Sequence, residues 1–154
     1  MQNGLIRFLV RFVPATLIAI GLCTGAGATI PDGFKDIKLG MQKAQVLDIL
    51  QKASGHSSYD DLGEEIGEII RNDDLFRFAT YRFNSEGMLV EIGLEMREIL
   101  GKDSVLEQFG MQYGLKLSPL APTVESDRSI EVRNNCLVLK KSRDPKARAA
   151  KGTN

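Results

Sequence analysis

The residues of this chain that could do chemistry are few, and none stands at the spacing of a catalytic set. His56 is the only histidine among 154 residues, and a serine or cysteine nucleophile needs an imidazole close by. Seven carboxylates follow between residues 60 and 74, and two of them could meet in the fold as a catalytic acid and base. A small exported hydrolase or ligand-binding domain using His56 and this acidic stretch is therefore one hypothesis. The alternative is a solvated loop histidine beside an acidic sheet edge that resists aggregation.

The spacing of cysteine, histidine and glycine predicts neither a metal site nor a cofactor. Cys23, His56 and Cys136 form no Cys-x-x-Cys or His-x-x-x-His pair. The acidic stretch lacks the alternating oxygens and the turn glycine of a calcium-binding loop. No Gly-x-Gly-x-x-Gly or Walker pattern occurs, so no phosphate-binding loop is expected. The sequence therefore assigns no catalytic, metal-binding or cofactor-binding residue and favours a protein that is not an enzyme.

The first 28 residues have the composition of a secretory signal peptide. Arg7 and Arg11 precede an apolar run from Phe12 to Cys23, and Ala26-Gly27-Ala28 forms a small-residue cleavage site. The pattern predicts cleavage after Ala28 and a periplasmic or secreted product. Lipidation of Cys23 is the less favoured alternative, because a leucine rather than a small residue precedes it.

Removal of residues 1–28 would leave Cys136 as the only cysteine. An exported domain with one cysteine has no internal disulfide, so packing alone must hold its core. We expect a half-buried thiol at Cys136, and pairing with another chain stays open.

The charges of the remaining chain are divided unevenly. Residues 140–151 carry six lysines and arginines against one aspartate, whereas residues 29–139 are acidic overall. An acidic body with a basic tail is not the profile of a nucleic-acid-binding protein. We expect the tail, residues 142–154, to be disordered, and membrane contact to be at most peripheral, through its basic side chains.

Apolar residues at helical spacing predict two helices. The first runs from residue 42 to residue 53, with Gly55 as its C-terminal cap. The second runs from residue 103 to residue 113, with Asp103 capping its free amides and Gly114 ending it.

The central element of the predicted sheet is a hairpin of residues 75–83 and 88–98. The turn between them, Asn84 to Gly87, suits a type I turn followed by a glycine in the left-handed region. The register that this turn implies places Thr80 opposite Ile92.

That register makes a specific prediction about the two faces of the hairpin. It is supported by the favourable pairing of Arg77 with Glu95 across the strands. It directs three apolar side chains outward, where a polar face is expected, and these are the candidate protein-contact residues: Tyr81, Phe83 and Leu89.

The other strands are predicted from shorter patterns. Residues 33–40 suggest a short strand or an extended arm. Residues 64–71 suggest a strand rather than a helical turn, after a loop at 56–63. A last hairpin pairs residues 129–133 with 136–141 around Asn134-Asn135. The predicted fold class is a single α+β domain over residues 29–141, with an antiparallel sheet of about five strands and two helices packed on one face.

Three segments resemble a group of small exported bacterial domains. Ile37 to Met41, followed by Val46 and Leu50, is similar to the Gly-Met-Thr opening of the SmpA/OmlA outer-membrane assembly lipoproteins and of the β-lactamase-inhibitor-like fold. The stretch from Tyr81 to Leu89 resembles their strand-turn-strand core, and the helix ending at Gly114 resembles theirs. Gln42 stands where those families carry a capping threonine or serine.

The resemblance implies a broad architecture and a class of function, and no binding residues. In those families a glycine-methionine pair leads into a helix that packs across an antiparallel sheet, and their work is protein–protein contact rather than catalysis. The sequence therefore favours a non-enzymatic, periplasmic or secreted domain that binds another envelope or secreted protein.

Overall fold

The computed structural model describes residues 28–53 and 57–141. The predicted signal peptide up to residue 27, Gly55, His56 and the basic tail from residue 142 lie outside the described residues. No helix within the described ranges is long and apolar enough to cross a membrane.

One antiparallel sheet of seven strands forms the body of the domain, and a two-stranded hairpin lies beside it. The strands in chain order are β1 (Gly33–Phe34), β2 (Ile37–Lys38), β3 (Ser57–Asp61), β4 (Glu65–Ile70), β5 (Phe76–Phe83), β6 (Leu89–Met96), β7 (Thr123–Glu125), β8 (Arg128–Arg133) and β9 (Cys136–Lys141). Their order in the large sheet is β3-β4-β5-β6-β9-β8-β7, so β3 and β7 are its edges. The prediction of about five strands is wrong, although the domain remains of α+β type.

The additional strands come from segments whose composition is typical of loops. The predicted loop at 56–63 contains β3, and the proline-rich loop before residue 128 contains β7. Serine and aspartate are poor strand formers, but an edge strand needs a hydrogen-bonded neighbour on one side only. The short strand or extended arm predicted over 33–40 is instead the tight hairpin β1-β2, in which Lys35 at the turn has a positive φ of 53°. Strand β4 confirms the choice of strand over helix for 64–71.

Two helices cover one face of the large sheet. They are α1 (Lys43–Lys52) and α2 (Lys102–Tyr113), and a short 3-10 turn at Glu98–Leu100 precedes α2. The buried side chains of both helices belong to a single apolar cluster with the strands. Three rings tie this cluster together, because Phe76 of β5 makes edge-to-face contacts with Phe34 of β1 at 5.8 Å and with Phe109 of α2 at 5.7 Å between ring centroids.

The helix ends match the predictions in part. Gly114 ends α2 in the left-handed conformation, with φ at 66°, as predicted. Asp103 lies in the first turn of α2 and does not cap it, because Gly101 occupies the N-cap position. At the start of α1, the backbone N–H of Gln42 donates to the side chain of Gln45 at 2.9 Å, so a glutamine pair takes the place of the usual capping hydroxyl.

The hairpin of β5 and β6 has a register one residue away from the predicted one. Thr80 lies opposite Gly93, and Tyr81 lies opposite Ile92, whereas the prediction placed Thr80 opposite Ile92. The core-facing residues of β5 are therefore Ala79, Tyr81 and Phe83, with exposed fractions of 5% or less. The predicted register, which directs Tyr81 outward, would place Phe78 in the core; in the structure Phe78 points to the other face and is half-buried.

Two β-bulges explain the error, because each breaks the alternation on which the predicted register depends. If side chains alternated between the two faces along β5 without a bulge, the face that buries Ala79 would also bury Arg77. The register shift between Phe76 and Phe78 instead turns Arg77 outward, where it binds Glu95 at 2.7 Å, and returns Phe76 to the core. The predicted attraction between Arg77 and Glu95 is thus present, although the two residues are not directly opposite.

The second bulge lies in β6. Phe83 pairs with Leu89 and Arg82 pairs with Glu91, so Val90 is an extra residue with no partner on β5. Without this bulge Val90 would face the core and Leu89 would face outward. With it, Leu89 is fully buried and Val90 is half-buried.

The last hairpin confirms its prediction. Ile130 pairs with Leu139, Val132 with Leu137 and Arg133 with Cys136. Asn134 has the positive φ, 53°, that the two-residue turn requires. Cys136 is a half-buried free thiol, as expected.

Candidate functional site: the open face of the sheet

The three residues predicted to form a protein-contact surface lie in the core. Tyr81 and Leu89 are fully buried, and Phe83 is 5% exposed. The prediction that they face outward is wrong, because the β-bulges reverse the alternation on both sides of the turn. Their role is to pack the sheet against the helices.

Tyr81 has a polar partner inside that core. Its hydroxyl donates to Oε2 of Glu68 at 2.6 Å, and Glu68 is 4% exposed. Burial raises the pKa of Tyr81 far above its ordinary value, and the negative charge of Glu68 and the hydrogen bond raise it further. The pair is therefore a structural hydrogen bond with the proton held on the tyrosine.

The acidic stretch from 60 to 74 does not form one cluster. Asp61 binds Nζ of Lys43 at 2.6 Å, and this hydrogen bond is the main cause that lowers the pKa of Asp61. Glu65 and Glu68 point to opposite faces of β4, and Asp73 accepts two backbone N–H groups in the turn before β5. His56 lies outside the described residues. Four of the seven carboxylates thus serve separate structural contacts: Asp61, Glu65, Glu68 and Asp73.

The face of the sheet opposite the helices, here called the open face, carries side chains in rows that run across the strands. Both described helices pack on the other side. The first row, here called the charged row, alternates in sign over four strands and ends on a serine: Glu65, Arg82, Glu91, Lys140 and Ser129. The second row, here called the small row, has small side chains at its first four positions and a glutamate at the fifth: Gly67, Thr80, Gly93, Val138 and Glu131.

Direct ion pairs hold the charged row in place. Arg82 reaches Glu65 at 3.2 Å and Glu91 at 2.9 Å, so one guanidinium bridges three strands. Lys140 binds Glu131 at 2.7 Å and lies 3.6 Å from Glu91. Opposite charges directly across strands stabilise a sheet, and each fixes the geometry of the next.

Arg133 of β8 adds a further cation to the network. Its Nε lies 2.6 Å from Glu131, and its Nη1 lies 3.8 Å from Glu91. The hydrogen bond from Lys140, together with the charges of Lys140 and Arg133, lowers the pKa of Glu131. The side chain of Glu91, at the centre of the network, is only 18% exposed, whereas those of Arg82 and Arg133 are about half exposed. The arginines therefore keep N–H donors for a group outside the protein.

The small row makes a shallow trough beside these charges. The ring of Phe78 lies over Gly67, so closely that a Cβ atom at Gly67 would lie 2.8 Å from the ring. A Cβ atom at Gly93 would meet only Thr80, at an ordinary contact distance of 3.7 Å. Val138 is 4% exposed, so the trough has an apolar floor.

A cleft lies along the charged row, between the β5-β6 turn and the end of β9. Its volume is about 660 Å³. It is lined by Arg82, Asn84, Met88, Val90, Lys140 and Lys141, among others. At this end of β6, residues 88–89 pair with segment 40–42 and not with β9. The cleft lies where β6 changes from one neighbour to the other.

The open face also carries the free cysteine of the described chain. Cys136 lies on this face beside Glu95 and Arg133, and burial, aided by the charge of Glu95, raises the pKa of its thiol. A raised pKa disfavours the reactive thiolate. The described residues contain no group of three or more histidines, cysteines, aspartates and glutamates that could hold a metal ion.

The sequence did not predict the charged row. A signal was present, since Glu65, Arg82, Glu91 and Lys140 each stand in a strand beside a buried apolar residue. Their alignment in one row depends on the pairing of β6 with β9, which no local pattern specifies.

Comparison with known proteins gives no relative for this arrangement: no protein-family model, no curated protein and no solved structure matches the chain.

Proposed function

We propose that this chain is an exported, non-enzymatic domain that binds another protein of the cell envelope or the secreted fraction through the open face of its sheet. The observation that carries the proposal is the charged row, in which ion pairs hold alternating charges in fixed positions across the sheet beside an apolar trough. Fixed charges of both signs favour a partner with the complementary pattern, and they disfavour other proteins.

The dimensions of the open face also support a protein partner. The charged row crosses five strands, or roughly 20 Å at the usual spacing between strands. Arginine and apolar side chains at the centre of a surface are typical of protein interfaces, and Arg82, Arg133 and Phe78 provide them here. The signal-like N-terminus and the resemblance to envelope lipoproteins agree with this function.

The proposal is tested by adding a side chain in the middle of the open face. Gly93→Gln places a bulky neutral group in the small row, where space for a Cβ exists, so the fold should be retained. The matched control is Ala44→Gln, which adds the same group at an exposed position of α1, on the helix side of the domain. Gly93→Ala adds only the Cβ atom.

Each variant is tagged, expressed with its own N-terminus and used to capture proteins from envelope extracts, and folding is checked by circular dichroism. We expect the protein captured by the wild type to be retained by Ala44→Gln and Gly93→Ala and lost with Gly93→Gln. If Gly93→Gln folds and still captures it, the open face is not the contact surface. If the wild type captures no envelope protein, the proposed function is wrong.

A further inference from the structure

The first residues of the described chain are held tightly by the fold. Ile30 is 1% exposed and is the first side chain of the apolar core. Its backbone N–H donates to Oε2 of Glu125 at 2.9 Å, and its carbonyl accepts from Nη1 of Arg128 at 2.9 Å. Strands β7 and β8 thus fix the chain only two residues after Ala28, the end of the predicted signal peptide.

Thr29, the residue before Ile30, contacts the C-terminal end of α2. The backbone N–H of Thr29 donates to the carbonyl of Tyr113, the last residue of α2, at 3.4 Å. The last turn of α2 contains no basic residue. A helix carries partial negative charge at its C-terminus, and a cation placed there is stabilising.

We infer that cleavage of the Ala28–Thr29 bond completes this contact, because the new ammonium group of Thr29 binds the C-terminal end of α2. Hydrolysis adds one water across the peptide bond and leaves a carboxylate on Ala28 and an amine on Thr29, which takes up a proton at neutral pH. The inference rests on the export that the proposed function includes. Beyond that function, it states that cleavage after Ala28 increases the stability of the folded domain.

The charges around Thr29 favour an ammonium group at this position. The carboxylate of Glu125 binds the adjacent amide, and the charge of Asp32 acts on the neighbouring Tyr113. Two cations oppose this effect in part: Lys38 pairs with Asp32 at 3.0 Å, and Arg128 contacts Asp127 at 3.3 Å as well as Ile30. The helix end and Glu125 therefore supply the net attraction.

The experiment begins with the full chain expressed in a bacterium and the product purified as the cell makes it. Intact mass and N-terminal sequencing should show a protein that begins at Thr29. Its α-amino group is then acetylated selectively near pH 6, where lysine amines are protonated, and unfolding by urea is compared for the free and the acetylated protein.

We expect acetylation to lower the folding equilibrium constant about two- to fivefold at pH 7, the range typical of a charge at a helix end. A folded state that binds the ammonium form gains stability below the ordinary pKa of an α-amino group, about 8, and loses it as the pH rises above that value. The two proteins should therefore be equally stable near pH 10. Glu125→Gln should reduce the difference at pH 7.

Two results would overturn the inference. One is a product that keeps Met1, carries lipid on Cys23 or begins at a residue other than Thr29. The other is a free and an acetylated protein with the same stability at pH 7, or with a difference that persists at pH 10. Failure to capture a partner through the open face would leave these measurements unaffected, so the two proposals fail separately.

Discussion

At the scale of single residues, the hydrogen bond from Tyr81 stabilises Glu68 as a charged side chain inside the core. Glu68 is the only charged side chain among the described residues that is buried, and it faces the helices together with Ile66 and Ile70. A buried carboxylate without a donor is strongly destabilising, because it loses water and gains nothing in return. The hydroxyl of Tyr81, at 2.6 Å, supplies that donor.

Tyr81→Phe should therefore destabilise the domain by about 2–3 kcal/mol, because the substitution keeps the ring and removes the donor. The double variant Tyr81→Phe/Glu68→Leu should lose less than Tyr81→Phe alone, since no buried polar group is left unpaired. Urea unfolding of the two single variants and the double variant gives the coupling between the residues. Tyr59→Phe, at a half-buried tyrosine, is the control. A Tyr81→Phe loss no larger than the control loss would contradict the importance of this bond.

The same pair predicts a loss of stability at alkaline pH. Burial and Glu68 raise the pKa of Tyr81, so between the ordinary tyrosine value, near 10, and the higher folded value the unfolded chain releases a proton that the folded chain keeps. The contribution of Tyr81 to the free energy of unfolding is therefore constant below about pH 10 and then falls by about 1.4 kcal/mol per pH unit. Tyr81→Phe should remove that part of the slope. Parallel pH curves for the wild type and the variant above pH 10 would disprove the assignment.

At the scale of elements, the fold could be predicted where local chemistry decides the structure. The Asn134 turn, the left-handed Gly114 and the apolar stripes of both helices depend on nearby residues, and they were correct to within a residue. The register of β5 and β6 could not be predicted, because either choice of core face buries an arginine: Arg82 with one set and Arg77 with the other. A bulge resolves that conflict, and bulges leave no reliable signal in a single sequence.

The open face was not predictable for a related reason. Its charged residues lie on strands that are far apart in the chain, and the pairing of β6 with β9 brings them into one row. The strands β3 and β7 were also missed. The serines and aspartates of β3 have low strand propensity, and β7 is only three residues long and follows a proline-rich segment. Each forms a strand because a neighbouring strand supplies hydrogen bonds.

The bulge in β6 can be tested by deletion. Val90 is the extra residue, so its removal leaves Leu89 directly before Glu91, and regular alternation then keeps Leu89 in the core. We expect the deletion to cost about 1–3 kcal/mol and to leave a cooperative fold. Deletion of Gly93, a regular position of the same strand, would move residues 89–92 to the wrong faces and should prevent folding. Circular dichroism and urea unfolding of both proteins measure the loss of structure and stability. An equal loss of stability in the two deletions would contradict the assignment of Val90 as the bulge residue.

At the scale of the whole molecule, the two edge strands of the sheet differ in what lies beside them. The edge strand β7 lies beside the N-terminal segment, through the bond between Glu125 and Ile30. The other edge, β3, has one strand neighbour and carries two adjacent carboxylates, Asp60 and Asp61, near its end. Charged residues on an edge strand oppose pairing with a second sheet, which agrees with the structural alternative considered for this acidic stretch.

Asp60→Val should therefore cause association without loss of folding. Asp60 is exposed and lies opposite Gly67 on the open face, so valine removes the charge and raises strand propensity without entering the core. Sedimentation velocity over a range of concentrations should show more dimers or larger species for the variant than for the wild type. Asp74→Val, at an exposed position between β4 and β5, removes the same charge away from the edge and should sediment like the wild type. If both variants associate equally, net charge rather than the edge keeps the molecules apart, and a monomeric Asp60→Val would mean that the backbone of β3 is protected in another way.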